Sequence, residues 1–212
     1  MSSRERILEK LREGERPFSP SNPPAFYQPM TPVADDDPAA LRARFVVEAH
    51  KAACVVHPVK TPEAAIGVIL YLLGGETAVS AWDLAQIPIP GLADALEQAG
   101  KTLVGQDASA RVGLTGVDAA LAATGSVVVM SGNGRWRTAS LLPPVHIAVV
   151  QGNQIMPHLE SWWAAQKADG LEHTRQRSNI VIITGPSRTA DIAMQLVMGM
   201  HGPQELHLIL LG

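Results

Sequence analysis

Cysteine is almost absent from this 212-residue chain, which contains a single one, Cys54. One thiol cannot form a disulfide framework, supply the ligands of a cysteine-based zinc site or hold an iron–sulfur cluster. Cys54 lies in the apolar run 52–56, so we interpret it as a small buried hydrophobic residue rather than as a reactive thiol. We therefore expect no cofactor in this chain.

A strong charge of one sign and a long apolar run are also missing. Seventeen Lys and Arg against 20 Asp and Glu give a net charge of −3, which excludes the basic surface that attracts nucleic acid. No stretch approaches the roughly 18 apolar residues of a membrane span, and residues 1–6 lack the apolar core of a signal peptide. We expect a soluble, cytoplasmic protein without nucleic acid as a partner.

The first 37 residues differ in pattern from the rest of the chain. Apolar residues at helical spacing predict a short helix over roughly residues 3–13 that ends near Gly14. Residues 16–38 contain seven prolines, which predicts an extended arm. The arm also carries three aromatic residues, Phe18, Phe26 and Tyr27. These predict docking, either on the arm's own domain or on a neighbouring subunit of a homo-oligomer.

From residue 38 onward, helix and strand patterns alternate. Helices are predicted over residues 38–51, 61–73, 92–100, 117–123, 155–168 and, from an apolar stripe, 192–200. Strands are predicted over residues 53–57, 77–81, 102–104, 126–130, 145–150, 179–184 and 206–211, the last two as buried strands. The return through Pro143 and Pro144 allows an antiparallel strand over 145–150. We therefore predict one α/β domain over 38–212, with a Rossmann-like, mostly parallel but mixed sheet flanked by helices.

The most informative stretch leads from the strand over residues 179–184 through Gly185 into the predicted helix. A helix N-terminus has free amide hydrogens and a partial positive charge, so hydroxyl groups and an arginine there predict an anion site. Capping of that helix by Ser187 or Thr189, with Arg188 in solvent, is the structural alternative. The candidate ligand-binding residues of this stretch are Thr184, Gly185, Pro186, Ser187, Arg188, Thr189 and Asp191.

A second group of polar residues flanks the strand over residues 126–130, which we expect at the centre of the sheet. The pair Asn133–Gly134 predicts a tight turn. Beside it, Arg135 or Arg137 has the planar donor fork that binds a carboxylate or phosphate, although an exposed turn arginine without a ligand is an equal alternative. The candidates of this group are Thr124, Gly125, Ser126, Gly132, Gly134 and Arg135.

Two histidines, His146 and His201, complete the set of candidate ligand-binding residues. Either imidazole can act as an acid or base near neutral pH, and the structural alternative is a hydrogen bond to the backbone near the core. The chain has no Walker loop, no three-glycine dinucleotide loop and no His-Glu-x-x-His motif. The sequence therefore predicts neither ATP nor NAD binding, nor a metal site.

Several motifs in the second half of the chain resemble the LUD-domain family, specifically lactate utilization protein C. In chain order they are Thr124-Gly125-Ser126, Ser131-Gly132, the run from Ser140 to Ile147, the run from Thr184 to Ile192 and the run from Gly199 to His207. The resemblance is firm over residues 113–212, holds in outline over 38–112 and does not extend to the first 37. Ala123 and Ala193 stand where the family often has glutamate, so a mechanism that needs those carboxylates is not carried over.

The resemblance implies a fold like that of sugar-phosphate isomerases and coenzyme A transferases. It also implies a role in the oxidation of L-lactate to pyruvate beside partner proteins that contain iron–sulfur clusters. Because one cysteine cannot hold a cluster, we predict an accessory subunit that binds, assembles or positions, with a small anion as a candidate ligand. A stand-alone transferase or isomerase acting on a phosphorylated or acyl substrate is one alternative, and a sensor of lactate or a nucleotide is another. No glutamate is singled out as the nucleophile that such a transferase needs.

Overall fold

Helices and strands alternate along most of the chain. In this computed structural model the described residues are 2–14, 28–33, 37–190 and 196–212. The helices are α1 (Ser3–Glu13), α2 (Pro38–Lys51), α3 (Pro62–Leu73), α4 (Leu92–Gln98), α5 (Thr138–Leu141), α6 (Leu159–Ala168) and α7 (Glu172–Arg175). The strands are β1 (Val55–Val59), β2 (Ala78–Ala81), β3 (Thr102–Leu103), β4 (Val112–Gly116), β5 (Ala119–Leu121), β6 (Ser126–Ser131), β7 (Val145–Gln151), β8 (Ile155–Met156), β9 (Asn179–Ile183), β10 (Arg188–Ala190), β11 (Leu196–Met198) and β12 (Glu205–Leu211). None of the helices in these ranges is long and apolar enough to cross a membrane.

The main sheet has six strands in the order β1-β12-β7-β4-β2-β3, and every pairing in it is parallel. The prediction that residues 145–150 pair antiparallel is therefore wrong. Between β4 and β7 the chain passes through β5, β6 and α5, which is long enough for a crossover that returns in the same direction. The sheet's central strands are buried on both faces, as parallel sheets generally are.

A second sheet has four strands in the order β8-β5-β6-β9, with β6 antiparallel to both β5 and β9. The strand over residues 126–130 is therefore internal to this sheet and not to the main one. Two predicted helices are corrected: residues 119–121 form β5, and the predicted helix over 155–168 gives up its start to β8 and begins at Leu159. Ala119 and Ala120 favour a helix by propensity, but both are buried in the sheet, so tertiary packing decides.

The segment after β9 is a hairpin where the sequence predicted a helix. Arg188, Thr189 and Ala190 pair antiparallel with residues 196–198, and the amide of Gly199 donates to the carbonyl of Ser187 at 2.9 Å. The helix predicted over 192–200 is therefore wrong for its described part, and with it the cap by Ser187 or Thr189. The apolar residues have the spacing of a helix, but those at 196–198 lie in a strand instead. Asp191 lies outside the described residues.

Most buried apolar side chains belong to one core around the main sheet. Phe45 of α2 and Ile69 of α3 are fully buried in it, and both helices contact β1. Both helices start as the sequence predicts: Asp37 and Thr61 each accept backbone N–H groups of the first turn, with proline next in the chain. A smaller cluster around Trp162 lies between α6 and the second sheet. This packing leaves β9 half-exposed, which corrects the prediction of a buried strand there.

The N-terminal region is described in two pieces. The predicted helix over residues 3–13 is confirmed as α1, which begins with a capping box at Ser2 and buries none of its side chains. In the second piece, the amide of Met30 donates to Glu160 at 3.1 Å and Val33 packs against the core. This part of the arm thus contacts its own domain. The three aromatic residues of the arm, Phe18, Phe26 and Tyr27, lie outside the described residues.

Candidate functional site

A cavity of about 240 Å³ lies between β9, α5 and the base of the β10–β11 hairpin. It is lined by Arg137, Ser140, Leu141, Val181, Ile182, Ile183, Thr184, Gly185, Ser187, His201, Gly202 and Pro203. Four of the sequence-predicted residues are among them. Within the described ranges the lining offers a guanidinium, an imidazole and hydroxyl groups but no carboxylate, so its chemistry suits an anion.

Gly185 shapes the turn that closes one end of the cavity. Its φ is +81°, and a Cβ at this position would stand 2.0 Å from the carbonyl oxygen of Ala52. Arg188 donates to that same oxygen at 2.5 Å, just beyond the C-terminus of α2, where a positive charge is favourable. The amide of Ser187 donates to Pro203 at 2.8 Å. The turn is thus held between α2 and the loop before β12.

A chain of three hydroxyl groups starts at the cavity and passes through the buried Ser126. The Oγ1 of Thr184 lies 2.7 Å from the Oγ of Ser126, which lies 2.7 Å from the Oγ1 of Thr124. Between them, Gly125 has φ +65°, and a Cβ there would stand 2.1 Å from the amide nitrogen of Ala49. The turn between β5 and β6 therefore packs directly on α2 and fixes the hydroxyl of Thr184. The sequence motif Thr-Gly-Ser thus meets the Thr-Gly that follows β9.

Arg135 belongs to a different cluster. Its Nη1 pairs with Asp118 at 2.6 Å, its Nε donates to Gln86 at 2.6 Å, and its guanidinium lies 4.6 Å from the ring centre of Trp82. The side chain of Asp118 is only 5% exposed and also accepts the amide of Met130 at 2.7 Å. Arg135 is thus fully engaged, whereas Arg137 lines the cavity, so the two neighbouring arginines face different surroundings.

The sequence interpretation missed Asp118 and the groups around it. His173 approaches this carboxylate at 3.4 Å, and burial lowers the pKa of the neighbouring Arg177, as does the charge of Arg135. A lone acid inside the apolar stretch 112–123 was the available signal, because a buried carboxylate needs a partner. The hairpin that brings Arg135 back was predicted: Gly132 and Arg135 exchange two backbone hydrogen bonds, and Gly134 has φ +70°.

The two candidate histidines lie in different places. His146 is fully buried on β7, its Nε2 lies 2.9 Å from the Oγ1 of Thr115, and its Nδ1 has no partner in the described residues. Burial lowers its pKa to about 4, so it is neutral at pH 7. His201 lines the cavity, and its amide donates to the Oγ of Ser187 at 3.3 Å.

Cys54 lies beside the turn at Gly185 and is 4% exposed. Burial raises the pKa of its thiol to about 11, although a hydrogen bond from Gly185 and the charge of Arg188 act in the opposite direction. The thiol is therefore protonated near neutral pH and unsuited to nucleophilic chemistry. Within the described ranges, no group of three or more His, Cys, Asp or Glu side chains converges on a point where a metal ion would sit.

The chain is similar to proteins named lactate utilization protein C. It is 39% identical to the one from Halalkalibacterium halodurans over 104 residues, which are 49% of this chain and 45% of that protein. The protein from Shouchella clausii is 33% identical over 145 residues, 61% of this chain and 60% of its own length. The protein from Bacillus subtilis (strain 168) is 39% identical over 101 residues, 48% of this chain and 42% of its own. The chain thus aligns with about half the length of the first of these relatives.

A solved structure and a family model extend the comparison beyond those segments. A crystal structure of a DUF162 family protein from Deinococcus radiodurans matches with a TM-score of 0.60 at 24% identity, over 83% of this chain and 99% of the other. At that identity the match speaks for the fold, a mostly parallel sheet flanked by helices. Residues 42–211 match the model of the LUD domain. The chain therefore belongs to the LUD domain family.

Proposed function

We propose that this chain serves lactate utilization as an accessory subunit that binds an anion and carries no redox centre of its own. The observation that carries the role is the similarity to several proteins named lactate utilization protein C, at 33–39% identity in the three cases above. The motifs around Thr184 and Gly202, which line the cavity, lie within residues 42–211, the range that matches the LUD domain model.

The division of labour follows from the residues that are available. Oxidation of lactate to pyruvate releases two electrons, which need an acceptor. The single cysteine, Cys54, is buried and protonated, so these 212 residues do not offer the thiolates of an iron–sulfur cluster. We therefore assign electron transfer to partner proteins with iron–sulfur clusters, and the cytoplasmic location of the assembly stays a prediction.

The cavity supports binding of an anion better than it supports catalysis of group transfer. Arg137 and the hydroxyls of Ser140, Thr184 and Ser187 surround it, and no carboxylate stands among its lining residues. A coenzyme A transferase mechanism needs a carboxylate nucleophile at the substrate. Two glutamates outside the cavity, Glu76 and Glu160, form ion pairs with Arg111 and His158.

Growth and purification together test the role. The gene for this chain is deleted from its source cells, and growth on L-lactate is compared with growth on pyruvate. We expect loss of growth on L-lactate alone, restored by the full-length chain. The tagged chain, purified from lactate-grown cells, is then expected to co-elute with iron–sulfur absorbance and lactate-dependent dye reduction.

Two results would count against the proposal. Unimpaired growth of the deletion strain on L-lactate would exclude a role in lactate utilization. Dye reduction by this chain alone, after the iron–sulfur proteins have been washed away, would make it an enzyme in its own right. A Cys54→Ala variant is the matched control and should restore growth fully, because its buried thiol takes no part.

A further inference from the structure

One edge of the second sheet is open. β9 ends the strand order, with β6 as its single strand partner among the residues that the structure describes. Its sequence, Asn-Ile-Val-Ile-Ile, contains no charge, proline or glycine. Sheets often protect a free edge with charges or proline, since unpaired N–H and C=O groups otherwise recruit another strand.

The cavity runs along this free edge. Five consecutive residues, Val181 to Gly185, line it. Successive side chains of a strand point to opposite faces, so consecutive lining residues place the cavity beside the edge rather than over one face. The opposite wall is formed by α5 and residues 201–203. The space is thus a slot beside the C-terminal three residues of β9 and the turn that follows them.

A second cavity adjoins the slot. A neighbouring cavity of about 310 Å³ shares Leu141, His201 and Gly202 with it and adds Leu142 and Met200. Four of the large apolar side chains along the two cavities are exposed, whereas Val181 and Ile183 are partly buried: Ile182 is 43%, Leu141 37%, Leu142 45% and Met200 58% exposed. A contiguous exposed apolar surface of this kind marks a protein interaction site.

The charge of the slot is one-sided. Arg137 is exposed at its rim and His201 lies on its wall, while neither cavity has an Asp or Glu among the lining residues that the structure describes. An occupant with a carboxylate would therefore complement the slot, and a basic one would not. Apolar walls, an open backbone edge and a cation together fit an extended peptide better than a compact metabolite.

We infer that an extended segment of a partner protein, apolar and bearing a carboxylate, adds to β9 as a fifth strand. The inference rests on the proposed function and identifies the anion of that site as a carboxylate of the docked segment, since an accessory subunit has to dock on the proteins that it serves. A second copy of this chain that pairs through its own β9 is a poorer fit, because that strand, Asn-Ile-Val-Ile-Ile, brings no carboxylate to Arg137.

Peptide display tests the inference. Random short peptides on phage are panned against the immobilised full chain, and the enriched sequence is synthesised with a fluorophore and titrated by anisotropy. We expect enrichment of apolar peptides with Asp, Glu or a free C-terminal carboxylate. Ile182→Lys, which places a charge on the edge, and Arg137→Glu, which reverses the rim charge, should each weaken binding at least about tenfold, or about 1.4 kcal/mol. Tyr71→Lys, at an exposed site on α3, is the matched control and should bind as the unchanged chain does.

The possible outcomes distinguish docking of a partner segment from dimerisation and from failure of the proposed function. Absence of enrichment, enriched peptides without a carboxylate, or binding that Ile182→Lys leaves intact would overturn the inference. If the chain alone sediments as a dimer that Ile182→Lys dissociates, the occupant is a second copy and the inference is likewise wrong. Growth on L-lactate is scored separately: normal growth of the deletion strain with intact peptide binding would refute the proposed function, whereas lost growth without peptide binding would refute only the docking mode.

Discussion

The two sheets of this protein are built from similar strands but are protected very differently. β12 has Leu208, Ile209 and Leu210 fully buried between neighbours on both sides, whereas the equally apolar β9 exposes Ile180 and Ile182. The first is a central strand of the parallel sheet, whereas the second stands at an edge of its sheet. The comparison indicates that burial in the main sheet contributes most to the free energy of unfolding. The exposed residues of β9 in the second sheet are available to bind a partner.

The largest effect should come from the ion pair where the chain passes from β4 into β5. Replacing Asp118 by Asn leaves Arg135 without its buried counter-charge, and we expect a loss of about 3–5 kcal/mol in the free energy of unfolding. Urea unfolding measures the loss. Glu76→Gln breaks the exposed pair with Arg111 and should cost less than about 1 kcal/mol.

The same substitution also sharpens the comparison between the sheets. Because Asp118 binds both Arg135 and the amide of Met130 in β6, its removal should loosen the second sheet first. In native-state hydrogen exchange, amides of β6 are expected to lose protection while those of β7 and β12 keep theirs. Uniform loss in both sheets would show that they open as one unit.

A pair of truncations tests the difference in burial directly. Ile209→Ala removes a fully buried side chain from β12 and should cost about 2–5 kcal/mol, as large-to-small substitutions in a core do. Ile182→Ala removes a 43% exposed side chain from β9 and should cost less than about 1 kcal/mol. Equal costs, measured by urea unfolding, would mean that β9 is covered in solution, for instance by another chain.

Much of this architecture could be predicted from the sequence, and the failures have physical causes. The apolar runs at 145–150 and 206–211 are long, continuous and flanked by turns, so both strands were found. The direction in which they pair is set by tertiary contacts that the local pattern does not contain. The sequence therefore left an antiparallel β7 open, and the strand is parallel to both of its neighbours. At 119–121, residues with helix-like spacing form a strand because buried ladder partners are available. At 196–198 the strand pairs with residues 188–190 although Val197 and Met198 are exposed.

The candidate site shows the same division. The motif around Gly185 was singled out as a strand followed by an anion site, and its hydroxyls and His201 do line one cavity. The sequence could not show that Arg137 lines this cavity while Arg135 lies away from it. Two arginines so close in the chain take different directions because one of them has a tertiary partner, Asp118. The sequence also could not show that β9 lies at a sheet edge, because its position in the sheet depends on which other strands pair with it.

The turn that joins β9 to the hairpin provides the next test. Gly185→Ala forces a side chain into a left-handed conformation and to within 2.0 Å of the carbonyl of Ala52, so we expect a loss of about 2–4 kcal/mol. Gly67→Ala, inside α3 with nothing within 4 Å of the added methyl, should instead stabilise the protein by about 0.5–1 kcal/mol. Thermal unfolding distinguishes the two, and a neutral Gly185→Ala would mean that the turn can move away from α2.

The smallest expected effect concerns pH and the main sheet. In the unfolded chain His146 takes up a proton near its ordinary pKa of 6.5, whereas in the folded chain burial delays this to about 4. Stability is therefore complete above pH 6.5 and falls as the pH drops toward 4, by about 2 kcal/mol at about pH 5. His146→Gln should flatten this dependence in urea titrations without abolishing it, because burial also lowers the pKa of His57. If the slope of stability against pH is unchanged in His146→Gln, the acid sensitivity would be assigned to His57 on the edge strand β1 instead.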